Sequence, residues 1–431
     1  MCYQHISTFR PSLLTFKKPF NDSSKAIVFT DRCIPNLSNG TLTTSILYSI
    51  NNHVYELETV LPLGAHYSRD DTIPVPDYNE YTNKVRANEV SLIKGEWTYT
   101  GNAKIIKLVP LRDSEFRFLA LSSNGSIAWF KDDVSLPVST YDEESIDSGI
   151  VVDITVSYDG KRIAKAYSDS KKGQHVTVMD NNSKAGEIIH KFKVASNAGV
   201  IKSVAFINEN IVATASDDNI LRFWDLKGES FLTPKWTLDF NSNDSNLECI
   251  DSSPFADTLF ATGDSRGNIK IWDLRTITSN EEIQEGSDGS IFTLEQHNNE
   301  GLSSIKFSKC SPSELITMSN SGNICHWDLT YLFKKGGSSE EGGTEDTNEF
   351  KEEIQNECLT FYHTGGSRRS PVNPKAKNTV DYHPFIEDLV STIDNDGLIT
   401  IYKPFTVPQE DSEEEEKEAT NNEEEGAQKE D

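Results

Sequence analysis

The chain has 431 residues, 36% of them hydrophobic, and carries a formal net charge of −27. Mean hydropathy is −0.51, and no apolar run is long enough to span a bilayer, so a membrane-spanning helix is excluded while a large buried core is not. The acidic balance repels phosphate and argues against direct nucleic-acid binding; it favours basic protein partners.

In chain order, the first twenty residues contain His5, Arg10, Lys17 and Lys18 without the apolar region of a secretory signal. Short alternating segments follow at Leu13 to Phe16, Ala26 to Phe29, Thr43 to Tyr48 and His53 to Leu57. They read as one four-stranded unit. Leu108 to Phe130 gives a second unit, with a Ser122-Ser123-Asn124-Gly125 turn, and Val151 to Asp180 a third, with a Tyr158-Asp159-Gly160 turn.

Three segments then end alike: Phe223-Trp224-Asp225-Leu226, Ile271-Trp272-Asp273-Leu274 and His326-Trp327-Asp328-Leu329. The tryptophans lie 48 and 55 residues apart, near the ~40–45 residue period of a WD-repeat blade with some loop added. A four-stranded blade cannot bury both faces alone, so such units stack radially around a channel. Trp224, Asp225, Trp272, Asp273, Trp327 and Asp328 are therefore read as fold devices: the indole fills the space between blades, and the turn carboxylates accept backbone N–H groups. Asn378 to Tyr402 supplies the last unit. The count is seven, an all-β, seven-bladed WD40 propeller over residues 11–405.

Two acidic blocks interrupt the pattern. Glu340 to Glu357 carries eight carboxylates against Lys351 and follows the Trp327-Asp328 ending; it reads as an acidic insertion, 334–357, between blades five and six. Residues 410–431 hold 12 acidic residues against Lys417 and Lys429, so 406–431 reads as a disordered acidic tail. Cys2, Cys33, Cys249, Cys310, Cys325 and Cys358 are scattered, which argues against a zinc site or disulfide framework and for buried thiols in a reducing compartment. No metal or other cofactor is expected. His363, His383 and Ser148 are the groups from which a nucleophile and base would have to be assembled. No G-x-S-x-G elbow, P-loop or H-E-x-x-H accompanies them, so no catalytic residue is assigned. His383 reads as a satisfied surface histidine at a strand end.

The order of parts resembles the histone-binding WD-repeat family, the retinoblastoma-binding-protein-like subunits of type B histone acetyltransferase and chromatin assembly factor complexes. Arg10-Pro11-Ser12-Leu13 resembles the family's start of the propeller, and Ile271-Trp272-Asp273-Leu274-Arg275 its Leu-Trp-Asp-Leu-Arg ending. Trp327-Asp328-Leu329, the acidic insertion and Leu359 to Gly366 resemble its acidic binding loop and His-Gly-Gly return. The resemblance implies a non-catalytic scaffold in nucleus and cytoplasm that works beside a catalytic acetyltransferase or chromatin-assembly subunit. It implies a histone H4 helix held by Glu345, Asp346, Glu349, Phe350, Glu352 and Glu353, and a second, weaker histone H3 site at Asp147, Glu248 and Glu300. Asn102 and Lys202 stand where that family tends to carry Glu. Met1 to Thr8 resembles only the last turns of the family's N-terminal helix, so 1–10 reads as a helix remnant and a longer upstream helix is expected. The alternatives are a cullin-4 ubiquitin-ligase substrate receptor, suggested by the Trp-Asp-x-Arg box ending at Arg275, and a chaperone of a basic ribosomal protein.

Overall fold

The structure is a computed structural model that describes residues 2–9, 25–38, 41–62, 93–101, 103–143, 150–169, 173–182, 185–195, 198–228, 233–239, 245–278, 289–335, 347–364, 377–395 and 397–405. Seven four-stranded antiparallel sheets make up the fold. Blade 1 runs from Lys25–Asn36 to Ile93–Thr98, blade 2 from Ile105–Pro110 to Val134–Tyr141, and blade 3 from Val151–Val156 to Ile188–Lys193. Blades 4, 5 and 6 begin at Ile201–Asn208, Leu247–Ser252 and Leu302–Phe307, and end at Trp236–Asp239, Phe292–Glu295 and Leu359–His363. Their first strands lie innermost, where neighbouring blades meet. The expected segment Leu13 to Phe16 and the tail 406–431 lie outside the described residues.

Blade 7 corrects one expectation. Its strands Val380–Tyr382, Val390–Ile393 and Ile399–Phe405 are completed by Cys2–Phe9, which pairs antiparallel with the last of them, Cys2 opposite Phe405 and Phe9 opposite Ile399. Residues 2–9 are thus the outer strand that closes the ring, not the remnant of a helix. The physical reason is the open edge: strand Ile399–Phe405 has unpaired backbone groups on one side, and an extended partner satisfies them where a helix cannot.

The Trp-Asp endings do what repeat logic requires. Trp224, Trp272 and Trp327 are at most 1% exposed. Each packs against the preceding blade, Trp224 with Val176 and Phe192, Trp272 with Phe223, Trp327 with Leu294. Burial of a side chain this large contributes about 2–3 kcal/mol. Each indole Nε1–H donates to a threonine on the neighbouring strand of its own blade: Thr214 at 3.4 Å, Thr262 at 2.9 Å and Thr317 at 2.8 Å. The following carboxylates, Asp225, Asp273 and Asp328, accept backbone N–H groups two residues on.

Around the channel a second set of carboxylates joins the blades. Asp153 of blade 3 accepts the N–H of Val204 in blade 4 at 3.1 Å. Asp251 of blade 5 accepts that of Phe307 in blade 6 at 2.9 Å, and Asp381 of blade 7 that of Phe29 in blade 1 at 3.0 Å. Lys107 Nζ reaches Asp153 at 2.8 Å and Lys309 Nζ reaches Asp381 at 3.1 Å, so two of these carboxylates also form ion pairs across blades.

Ahead of blade 7 the chain crosses one mouth of the channel. Asn378 donates to the carbonyls of Ile27 (3.1 Å) and Leu108 (2.8 Å), and its Oδ1 accepts the Leu108 N–H at 3.2 Å. The Lys377 ammonium donates to the Lys202 carbonyl of blade 4 at 2.5 Å. Blades 1, 2 and 4 are thereby tied by one short segment.

The acidic insertion is also placed differently from expectation. It lies inside blade 6, between its third strand Ile324–Asp328 and its fourth strand Leu359–His363, not between blades. The Trp-Asp ending marks the end of a third strand, and a fourth must still follow. Within the insertion the structure forms two helices, α2 (Thr330–Lys335) and α3 (Thr347–Cys358); a shorter helix, α1 (Leu274–Thr278), follows blade 5's third strand.

Candidate interaction site

Helix α3 is where the insertion acquires a fixed geometry. Ile354 and Cys358 stand four residues apart and so share one face of a helix. They are 3% and 0% exposed, in a cluster with Leu329, Leu332 of α2 and Leu294 of blade 5. Gln355 fixes the rotation: its Nε2 donates to the Glu295 carbonyl at 2.6 Å and its Oε1 accepts the Glu295 N–H at 3.0 Å. The amide thereby satisfies the edge strand of blade 5.

With that face turned inward, Lys351, Glu352, Glu353, Asn356 and Glu357 are exposed. Glu353 Oε1 accepts the Tyr331 hydroxyl of α2 at 2.6 Å, and Phe333 of α2 is 47% exposed. Exposed carboxylates on one helix and an exposed aromatic on its neighbour suit a segment carrying lysine or arginine on one side and apolar groups on the other. Of the six residues expected to hold a histone H4 helix, Glu352 and Glu353 are on this face. Glu349 and Phe350 belong to α3, but their side chains lie outside the described residues, as do Glu345 and Asp346 altogether.

Of the three residues expected at a histone H3 site, Glu248 and Glu300 are described. Asp147 lies outside the described residues. Glu248, on the inner strand of blade 5, is 3.8 Å from the Lys202 ammonium; burial pushes its carboxyl above the ordinary range, opposed by Lys202 and Lys377. Glu300 accepts the Ser321 hydroxyl and the Asn323 amide, at 3.0 Å for the nearer oxygen. Burial pushes it upward, but hydrogen bonds from Ser319, Ser321 and Asn323 outweigh that and hold it below the usual range. Both carboxylates serve neighbouring protein groups.

Of the residues weighed for catalysis, the two histidines are described. Ser148 lies outside the described residues. His363 stacks on Tyr402 with ring centroids 4.1 Å apart. His383, expected at the surface, is 0% exposed. Its Nδ1 accepts the N–H groups of Phe385 (3.1 Å) and Ile386 (3.0 Å), which leaves Nε2–H to donate to Thr44 Oγ1 at 2.9 Å. Two converging backbone donors in the turn after Val380–Tyr382 draw the ring inward. Arg275 is 79% exposed in its side chain, yet its guanidinium is chelated by Asp273 of its own turn, at 2.5 Å from Nη2.

Sequence reasoning did not single out Asp153, Asp251 or Asp381. A shared signal existed: each is a carboxylate directly after a buried apolar residue in a first strand, Val152-Asp153, Ile250-Asp251 and Val380-Asp381.

Comparison with known proteins places these features. Residues 186–225 match the WD domain, G-beta repeat family. The chain is 34% identical over 426 residues to the transcriptional regulatory protein UME1 of Saccharomyces cerevisiae, covering 94% of this chain and 91% of that protein. It is 34% identical over 444 residues to the transcriptional modulator WTM2 of the same organism, covering 94% and 93%. Histone acetyltransferase type B subunit 2 of Debaryomyces hansenii is a more distant relative, 22% identical over 192 residues, 42% of this chain and 44% of that protein.

Proposed function

The chain belongs to the family of WD-repeat transcriptional regulators that includes UME1 and WTM2, and we propose on that premise that it is a non-catalytic nuclear scaffold of transcription control. Its α2–α3 face binds a basic amphipathic segment of a chromatin protein, with a histone H4 helix as the first candidate. The observation that carries this reading is the docking of α3: Gln355, Ile354 and Cys358 hold it against blades 5 and 6, Glu353 meets Tyr331 of α2, and Glu352, Glu353 and Phe333 of the same helix pair stand exposed. Helix-in-groove recognition of this kind reads a basic face and an apolar face together.

Strand Cys2–Phe9 occupies the edge of blade 7, so the α2–α3 face works without an opposing helix from residues 2–9. The distant similarity to a type B acetyltransferase subunit supports a histone-linked partner, and any acetyl transfer belongs to another subunit.

Titration of the full chain with a peptide of the first H4 helix tests the reading. Binding is expected to weaken at least tenfold in Glu352→Gln/Glu353→Gln and in Phe333→Ser, with unchanged thermal unfolding. Equal affinity in both variants would overturn it.

A further inference from the structure

The channel mouth opposite Lys377–Asn378 carries groups that the α2–α3 reading does not use. The turns that follow the innermost strands of blades 3, 5 and 7 leave there, and each presents an aromatic ring: Tyr158 at 45% exposure, Phe255 at 50% and Phe385 at 51%. The Arg112 guanidinium lies 4.9 Å above the Phe385 ring. Inside this mouth is a cavity of about 190 Å³, lined by Lys107, Lys306, Lys309, Asp251 and Asp381, with Tyr158 and Pro254 at its edge and Asn378 within it.

The charges in this cavity are not equally engaged. Asp153, behind Lys107, is held by that ammonium, by Ser203 and by backbone N–H groups. Asp381 holds Lys309 and the Phe29 N–H, and Asp251 holds the Phe307 N–H. Lys306 lines the same space, and among the described residues its ammonium has neither a hydrogen bond nor an ion pair within 4 Å. Burial works against its charge, but the carboxylates of Asp251, Asp381 and Asp153 outweigh burial and hold the Lys306 ammonium above its ordinary pKa, so it stays charged. With no acceptor in direct contact, it can take an incoming carboxylate as a hydrogen-bond partner. Exposed aromatics around a pocket are the groups that anchor protein partners.

We infer that this mouth docks an extended partner segment in which an aspartate or glutamate, flanked by apolar residues, enters the cavity onto Lys306. The aromatics of blades 3, 5 and 7 cover the apolar flanks, and Arg112, stacked over Phe385, adds positive charge at the rim. The site is separate from the acidic α2–α3 face and selects the opposite charge, so one ring presents two surfaces of different preference.

The full chain, titrated with fluorescent nonapeptide mixtures whose central residue is fixed as Glu, Gln or Lys, tests this by polarisation. The Glu mixture is expected to bind about tenfold more tightly than the Gln mixture, with the Lys mixture weakest. Lys306→Met should remove the preference and Lys306→Arg should keep it. Phe255→Ser should weaken all three mixtures, and Glu352→Gln/Glu353→Gln should leave the preference intact. A preference for Lys, no preference, or a Glu preference that survives Lys306→Met would overturn the assignment. A concentration-dependent dimer in sedimentation, lost in Lys306→Met, would also overturn it by giving the mouth to a second copy of this chain.

Discussion

Gln355 grips Glu295 by both ends of its side-chain amide, donating to the carbonyl at 2.6 Å and accepting from the N–H at 3.0 Å. A helix inserted in blade 6 therefore completes the hydrogen bonding of blade 5's edge. Removing the amide leaves that edge to water and takes from α3 its hydrogen bonds to blade 5, with Ile354, Cys358 and the Glu353–Tyr331 contact remaining among the described residues. Gln355→Ala is expected to lower stability by about 1 kcal/mol. It should raise hydrogen exchange across 347–358 and weaken the H4-helix complex severalfold; unchanged exchange in α3 would show that the clamp does not hold it.

The channel ion pair predicts a pH effect. Asp153 is buried, which pushes its carboxyl upward, but Lys107, Lys377 and the Val204 N–H outweigh burial and hold it below its usual 3.8. A depressed carboxylate stabilises the fold above the unfolded pKa, and that contribution is lost as pH falls through the lower folded value. Asp153→Asn is expected to cost about 3 kcal/mol at pH 7, because it leaves Lys107 buried without its counter-charge. The difference in melting temperature from the unsubstituted protein should shrink as pH drops below about 4. A difference that stays constant down to pH 2.5 would remove the ion pair from the explanation.

Asn378 serves three backbone groups of blades 1 and 2 with one amide. Asn378→Ala strands those groups in a buried site and should destabilise by about 2–3 kcal/mol. Asn378→Asp keeps the shape and the acceptor but has no N–H to donate, so it should lie as low or lower. Chemical denaturation of both variants checks the order.

Burial pushes the thiols upward: Cys325 and Cys358 to about 12 and Cys249 further still. These three are buried as expected, whereas Cys33 and Cys310 are only half-buried, with Cys310 pushed up to about 11. The thiolate is the reactive form, so iodoacetamide at pH 7.5 should leave Cys249, Cys325 and Cys358 unmodified in the native protein. Peptide mass spectrometry should find Cys33 labelled ahead of them. In Gln355→Ala, Cys358 should join the labelled set, since it lies on the face of α3 that is buried only while the helix stays docked.

Blades 4, 5 and 6 were legible because Trp-Asp, a tight turn and alternating strands recur locally within about 50 residues each. The closing strand Cys2–Phe9 was not, because its pairing partner lies at the other end of the chain and eight residues carry no local sign of it. The acidic count of 340–357 obscured α3: charge dominates the composition, and only Ile354 and Cys358 at i, i+4 mark a packed face. Glu352 and Glu353 could be picked out from charge. Gln355, which orients them, could not, since an amide has meaning only once the edge of blade 5 is beside it. The exposed reading of His383 failed similarly, because its three hydrogen bonds come from a turn and from Thr44 in another blade.

Ring closure by Cys2–Phe9 against Ile399–Phe405 also governs the timing of folding. During synthesis the blades can form in succession, but the outer strand of blade 7, Cys2–Phe9, is made first and waits unpaired until residue 405 has left the ribosome. Nascent chains of any shorter length hold an arc whose terminal sheet faces are bare and whose first strand has nothing to pair with. Loop closure over nearly the whole chain comes last, when most of its entropic cost has already been met by the intervening blades. A chain stalled before that point is the species that must be kept from aggregating, and one continuous strand at the far end converts it into a ring with no open side.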